Sequence, residues 1–376
     1  MRNSTKPTEV AILTNFIPPT RLPAFQSISK RFQTTFFVDT AMEDNRQWAV
    51  ENEGLDVRIV WGVSVPISYR HPQGFRDSSY LHLPCGLLGA LLAAKPERVI
   101  SGELGLRTGI ACLYKMLRPS IRLVVWTEGT PHTDGPRGVL RKWWRRMIAQ
   151  IPDRFVAVSS GAKTLLESYG VPEDRVQLSY FVSGFYPPPQ VPVRDPCQRR
   201  RLLHSGSLNE RKGIRGFVDI LASITHSLNH PVELWFAGTG PEESYLRSMP
   251  LPRSLSFRFL GFVPFEQMPD VYRQCGILVF PTLADVWGLV TNEAMMYGMP
   301  VLGSRYAGSV CDLITDHKNG WTFTPDNRME MERAMRSALS TSAEELEEMG
   351  LAARRRAEKL TPEAFADSLV DALFQT

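Results

Sequence analysis

Two acidic residues separated by seven positions, Asp285 and Glu293, lie in the stretch FPTLADVWGLVTNEAMMYGMPVLGSRYAG (280–308). The run ILVFP (277–281) ahead of them is short, β-rich and stopped by Pro281, which predicts a buried parallel strand. A loop carrying Asp285 follows, then a helical run from Leu289 to Tyr297 that ends at Gly298 before Pro300. PVLGS (300–304) is a second short strand, so the whole reads as a βαβ unit. In open α/β sheets ligands bind outside the carboxyl ends of the strands, where the Asp285 loop projects. Glu293 falls about two turns along the helix on the same broad face. Two carboxylates held over a crevice suit hydrogen bonding to a polyol such as a sugar or a ribose. Spacing alone equally allows acids that cap the helix or face solvent. A third carboxylate, Glu128, leaves the strand IRLVVWTEG (121–129) with Thr127 and Gly129 toward the corresponding edge of an earlier sheet.

The elements that must position these groups fall into two α/β halves, as a chain of 376 residues requires. EVAILTNFIPP (9–19), TTFFVDT (34–40), VRIVWG (57–62) and ERVISGE (97–103) read as strands; 21–32, 83–95 and 106–117 read as helices. Residues 64–82 read as a polar, aromatic loop, and 154–180 as strand, helix and strand. FVSGFYPPPQVPVRDPCQRR (181–200) carries prolines at 187–189, 192 and 196 and marks the domain linker. RLLHSGSL (201–208), VELWFAGTGPE (232–242), FRFLGFVP (257–264) and NGWTFTP (319–325) are strands of the second half. Ser342 with Glu345 forms a capping-box pattern, and Thr361–Pro362 starts the last helix. The expected domains are 1–185, a linker at 186–200, 201–358 and a terminal helix at 359–376.

DVWGLVTNEAMMYGMPVL resembles the donor-site motif of the retaining glycosyltransferases of family 4, in which two acids precede a G-x-P-V segment. HSGSLNERKGIRGF (204–217), LWFAGTGPEE (234–243), 257–282 and GSVCDLITDHKNGW (308–321) match the same family in order, so the resemblance covers most of 200–325. It implies a GT-B architecture: two Rossmann-like domains facing across a cleft, with the C-terminal helix crossing back to the first. It implies that Lys212 binds the donor's diphosphate, with Ser207 where an arginine is usual and Arg211 or Arg305 as substitutes. By the same resemblance Asp285 holds sugar hydroxyls, Glu293 holds the ribose, and Gly288, Leu289 and Val290 line the donor. Ala307–Gly308 opens a helix whose amides approach the diphosphate, and Glu128, with His132 nearby, stands where a sugar-contacting histidine is common. The loop of Phe262 and Val263 takes the place of the base site, where Phe262 either stacks on the base or packs into the core. Gly238 and Gly240 either approach phosphate or serve a tight turn. The first loop, NFIPPTRLP, lacks the usual glycines; Arg21 is either a replacement cation there or a surface arginine.

Charge is uneven along the chain. Residues 1–185 hold 23 Lys and Arg against 16 Asp and Glu, leaving 20 against 23 in the remainder. A basic first half suggests that it meets an anionic surface; no nucleic-acid module is present in the sequence. GVLRKWWRRMIAQI (138–151) places Leu140, Trp143, Trp144, Met147 and Ile148 in an apolar stripe flanked by cations. That stripe either packs on the domain's own sheet or lies in a membrane interface. No apolar run is long enough to span a bilayer, MRNSTKPTEV lacks a signal-peptide core, and the five scattered cysteines fit reduced thiols, so a cytoplasmic protein is expected, peripheral on the inner face of the membrane where the second alternative for the stripe holds.

The expectation is a retaining glycosyltransferase of cell-surface polysaccharide synthesis. It moves a sugar from a nucleotide-diphosphate sugar to a glycan or lipid-linked acceptor, without cofactor or metal, since no D-x-D pair is present. A GT-B epimerase, a sugar phosphorylase and a non-catalytic nucleotide-sugar-binding protein are the alternatives.

Overall fold

The computed structural model describes residues 8–41, 54–134, 138–228 and 230–375. The chain forms two compact units. One comprises Met1–Tyr69, Ser78–Gly184 and Thr361–Thr376, the other Arg70–Asp77 and Phe185–Leu360.

The first unit holds a seven-stranded parallel sheet. Its strands are β1 (Glu9–Thr14), β2 (Gln33–Val38), β3 (Asp56–Ile59), β6 (Arg98–Gly102), β7 (Arg122–Thr127), β8 (Arg154–Ala157) and β9 (Val176–Leu178), in the order β3-β2-β1-β6-β7-β8-β9. The central strands are buried on both faces, which is why they read as continuous apolar runs. Around them lie α1 (Leu22–Ser29), α2 (Leu87–Ala94), α3 (Leu106–Leu117), α4 (Pro131–Asp134), α5 (Val139–Ile148) and α6 (Ser160–Ser168). Ser159 caps α6 by accepting from the Ala162 amide.

Residues 64–82 are not the loop expected from sequence. They form most of a hairpin of β4 (Val63–Arg70) and β5 (Arg76–Leu83), a two-stranded sheet of its own. β4 has no buried residue, so no apolar run announced the hairpin; the signal available was the alternation Val63, Val65, Ile67 with all three exposed.

The second unit holds a six-stranded parallel sheet of β10 (Leu202–Ser205), β11 (Val232–Ala237), β12 (Leu255–Gly261), β13 (Ile277–Phe280), β14 (Val301–Ser304) and β15 (Gly320–Phe323). Its order is β12-β11-β10-β13-β14-β15, the doubly wound order of a Rossmann sheet. The helices are α7 (Pro196–Arg200), α8 (Ile214–Ile224), α9 (Glu243–Ser248), α10 (Met268–Gln274), α11 (Leu289–Met296), α12 (Gly308–Leu313), α13 (Arg328–Ser340) and α14 (Ala343–Ala357). Phe217, Leu221, Leu234, Phe236, Trp321 and Met335 are among the residues that fill the core.

The Ser342–Glu345 capping box forms in full at α14, and Thr361 caps α15 (Pro362–Phe374). α15 packs along α1 and across β6 to β8 in the first unit. The Pro-rich stretch is not a free tether. Arg194 is buried and donates to the carbonyls of Tyr272 (2.7 Å) and Tyr297 (2.8 Å), and burial pulls its guanidinium down to about 10.

Candidate functional site

In the second unit the strand order reverses between β10 and β13, the switch point where open α/β sheets bind ligands. Lys212 leaves the first of these strands and Asp285 the second. After β10 the chain turns at Gly206, passes through a short 3-10 turn of Glu210–Lys212 and enters α8. The Asn209 side chain caps that turn by accepting from the Lys212 amide (3.2 Å). Gly213 then takes φ +65° beside Pro281, where a Cβ would collide with the Pro281 carbonyl. The two loops are laced together: the Leu283 amide donates to Arg211 O (2.8 Å), and Thr282 Oγ1 lies 3.1 Å from the same oxygen.

The Lys212 ammonium sits 2.7 Å from Asp285 Oδ2 and 5.0 Å above the Phe280 ring. Arg211 reaches the same oxygen at 3.3 Å, donates to Ala284 O (3.0 Å) and lies 3.9 Å from Asp77 at the hairpin tip. Burial pushes the Asp285 carboxyl up, but Lys212 and Arg211 more than offset it and hold it below its ordinary range. Beneath them His204, on β10, is fully buried; burial and then Lys212 bring its imidazole down to about 4.

Glu293 occupies α11, whose residues from Thr291 onward are buried. Its carboxylate accepts from the Tyr272 hydroxyl at 2.6 Å, and burial followed by the Glu293 charge raises the Tyr272 pKa well above its usual value. Tyr272 was not identified from sequence. It sits fully buried in α10 beside Val271, and its pairing with Glu293 distinguishes it from a core tyrosine. The α11 entry is fixed by Gly288 (φ +95°), where a side chain would strike the Phe280 ring, and by Trp287, whose Nε1 donates to Asn292 (3.0 Å). Leu289 and Val290 form the half-buried first turn. Gly308 is the first residue of the six-residue α12.

Other expected donor contacts lie around this switch point with varied surroundings. Ser207 is exposed, and Arg305 is exposed and ion-paired to Glu330. Gly238 and Gly240 sit where a Cβ would collide with the carbonyls of Gly206 and Leu208, so both are required for the β11 loop to pack on the β10 loop. Phe262 is 46% exposed, which corrects the core alternative for that ring; Val263 is half-buried. Phe265 instead stacks on Phe185, with centroids 4.0 Å apart.

The first unit has its own reversal, between β1 and β6. Arg21, in the loop after β1, is neither exposed nor unpaired: it forms an ion pair with Glu128 and lies over Phe181 (4.9 Å) and Trp126 (5.8 Å). Glu103 follows β6 at φ +63°, and its carboxylate accepts from the Glu128 amide (2.6 Å). Burial and then the Glu128 charge push the Glu103 carboxyl up. Sequence reading placed Glu103 at a strand end but gave it no role. His132 lies in α4 and is half-buried.

α5 departs from the core alternative for its stripe. Ile148 and Arg145 are buried, while Leu140, Trp143 and Met147 are exposed. Arg145 turns inward because Asp134 is buried there, 2.5 Å away. All five cysteines are free thiols. Among the described residues no group of three or more His, Cys, Asp or Glu gathers as metal ligands would, and no helix is long and apolar enough to cross a membrane.

Residues 194–356 match the model of the glycosyl transferases group 1. An uncharacterized glycosyltransferase of Methanocaldococcus jannaschii, MJ1607, is 26% identical over 192 residues, covering 46% of this chain and 47% of its own. The chain spans less than half the length of the first three curated relatives it matches (47%, 29% and 45%). Among solved structures, Anabaena Alr3699/HepE in complex with UDP aligns with a TM-score of 0.73 at 14% identity, covering 98% of this chain and all of that one (100%). The lipopolysaccharide outer core galactosyltransferase WaaB aligns at 0.71 and 14% identity, covering 98% and 99%. These likenesses give the chain a GT-B fold. Over residues 194–356 the likeness is to the glycosyl transferases group 1.

Proposed function

We propose that this chain is a retaining glycosyltransferase of family 4. It transfers a sugar from a nucleotide-diphosphate sugar to a hydroxyl of a glycan or lipid-linked glycan in cell-surface polysaccharide synthesis. The observation that carries the reading is the meeting of Lys212 and Asp285 at the switch point of the second sheet, with Glu293 buried on the helix that follows. Anabaena HepE, a structural neighbour, carries UDP and UDP-glucose, which supports a nucleotide-sugar donor. The name of WaaB supports an acceptor in lipopolysaccharide or a related polymer.

In this reading bond breaking leaves negative charge on the β-phosphate and positive charge on the sugar. A lysine ammonium has three donors, so Lys212 keeps Asp285 and takes a phosphate oxygen at once. α12 is only six residues long, so the amide of Gly308 supplies less than Lys212 does. Preorganised charge of this kind is commonly the largest part of catalysis. Asp285 holds sugar hydroxyls and Glu293 the ribose. Arg211, Gly288, Leu289 and Val290 line the donor, and Phe262 and Val263 flank the base. Glu128, in the first unit, contacts hydroxyls of the acceptor or the transferred sugar. The acceptor hydroxyl attacks on the face the leaving group departs from, and the departing phosphate takes its proton. No divalent metal takes part in this scheme. The partners are the donor, the acceptor and, through 138–151, an anionic membrane surface.

Thermal unfolding with UDP-glucose, GDP-mannose and ADP-glucose tests the donor, because a ligand that binds only the folded chain raises its melting temperature. Glu293→Ala should abolish that rise. A rise unchanged in Glu293→Ala removes Glu293 from the site, and no rise with any nucleotide sugar removes the reading.

A further inference from the structure

The membrane contact expected of α5 has a neighbour that sequence reading did not connect with it. α3 and α5 run side by side in the same direction. The Trp144 ring fills the space over Gly109, and Cys112 Sγ donates to Ile148 O at 3.7 Å. Each helix turns one face to the core: Thr108, Ala111, Cys112 and Tyr114 on α3, Arg145 and Ile148 on α5. Their outer faces bear large apolar groups in water. On α5 these are Leu140 (85% exposed), Trp143 (59%) and Met147 (44%), at i, i+3 and i+7; on α3 they are Leu113 (43%), Met116 (65%) and Leu117 (56%), at i, i+3 and i+4. Cys112 meets Ile148 where the helices touch, and their chain neighbours Leu113 and Met147 belong to the two exposed rows. Scattered exposed apolar residues are ordinary; two adjoining rows are not.

The charges on the two helices are of one sign. Neither helix contains an acidic residue. Four of its cations are neutralised inward: Arg107 by Asp39, Lys115 by Asp153, and Arg141 and Arg145 by Asp134. Lys142 and Arg146 are exposed and have no ion pair among the described residues. An apolar face edged by tryptophan and uncompensated cations matches the boundary of an anionic bilayer, where rings and aliphatic chains enter the headgroup layer and cations meet phosphate. A soluble protein partner of opposite charge would meet the cations but has no need of the apolar rows.

We propose that α3 and α5 together form a docking surface for an anionic membrane, with Leu140, Trp143 and Met147 on one helix and Leu113, Met116 and Leu117 on the other entering the lipid. The inference rests on the reading of a lipid-borne acceptor, yet it is tested without an acceptor. The full chain is sedimented with vesicles of phosphatidylglycerol and phosphatidylcholine in equal parts, and with phosphatidylcholine alone. Binding is expected to the anionic vesicles only and to weaken as salt rises. Trp143→Glu and, separately, Met116→Glu should each weaken it about tenfold or more. Lys142→Glu should weaken it as well. The thermal shift given by UDP-glucose, unchanged in every variant, serves as the check on folding and on the donor site. Should Met116→Glu fail that check, Leu117→Gln takes its place. A wild-type chain that ignores anionic vesicles while binding UDP-glucose overturns the docking surface and leaves the enzyme reading standing. Binding lost in Trp143→Glu but kept in Met116→Glu and in Leu117→Gln overturns the two-helix surface. A dimer that these substitutions dissociate, with no vesicle binding, assigns the face to a second copy of the chain and overturns the proposal.

Discussion

The two sheets solve the same topological problem with opposite charge. At the reversal of the second sheet, two cations, Lys212 and Arg211, face one carboxylate, Asp285, which is held below its ordinary pKa range. At the reversal of the first, one cation, Arg21, faces Glu128 with Glu103 close behind, and the Glu103 carboxyl is pushed up. An excess of cation at a strand end suits a phosphate. An excess of carboxylate suits hydroxyl groups that donate hydrogen bonds and repels a diphosphate. On the proposed reading one architecture then offers an anion-holding end and a polyol-holding end, distinguished by which loop carries the spare charge.

The strongest test of that contrast is Lys212→Ala. It removes the cation closest to Asp285 and should lower donor turnover, read as nucleotide release from whichever nucleotide sugar raises the melting temperature, by about 10²–10³-fold. Lys212→Arg should recover only part of this, because a planar guanidinium does not replace a compact ammonium. A loss below about tenfold would make the Lys212–Asp285 pair structural and erase the difference between the two ends.

A second contrast lies beneath the loops. His204 is the penultimate residue of β10, whereas the penultimate residue of β1 is Leu13. The imidazole is brought down to about 4 by burial and by Lys212, from an ordinary 6.5. The unfolded chain therefore binds the extra proton between these values, and His204 destabilises the fold as pH falls through that window. Above pH 6.5 the cost vanishes. The gap corresponds to about 3 kcal/mol. Urea unfolding at pH 7 and pH 4.5 should show His204→Leu losing less stability than the parent over that drop; equal losses would place the acid sensitivity elsewhere.

Tyr272→Phe sharpens the second site further. It deletes only the hydroxyl that donates to Glu293, in a hydrogen bond to a carboxylate of about 1.5–3 kcal/mol. Affinity for the nucleoside diphosphate of the donor that gives the thermal shift should fall about tenfold or more, and preference for it over its 2′-deoxy analogue should shrink with it. Weaker binding with that preference intact would give Tyr272 a packing role alone.

The second site was far more legible in the sequence than the first, for a physical reason. A buried parallel strand, a breaker, an acid and a helix ended by Gly298 before a proline form a continuous local signal, and the structure puts β13, the Asp285 loop and α11 within a residue or two of it. Lys212 came from a local motif as well. The first site is built from three separate segments, at Arg21, Glu103 and Glu128, and no spacing within one chain segment announces their meeting. The hairpin at 63–83 escaped because β4 buries no residue. The stripe on α5 carried the right period but not its direction: a buried Asp134 drew Arg145 inward and turned Trp143 out. Periodicity fixes which residues share a face, and buried charge decides which face is turned to the core.

The mildest change is expected from Glu128→Gln, and it bears on the comparison most directly. The substitution keeps the shape and the amide that donates to Glu103 but removes one of the two negative charges. Arg21, which lies over Phe181 and Trp126, loses its ion pair yet keeps its rings, so stability should fall by about 1 kcal/mol or less. Glu103 loses the second of the causes that raise it and should titrate closer to the ordinary range, although its burial remains. If the first site serves hydroxyl groups, transfer to an acceptor should show a KM raised several-fold, with the thermal shift by UDP-glucose unchanged. An altered UDP-glucose shift with acceptor KM unmoved would give Glu128 to the donor, and the division between an anion-holding end and a polyol-holding end would fail.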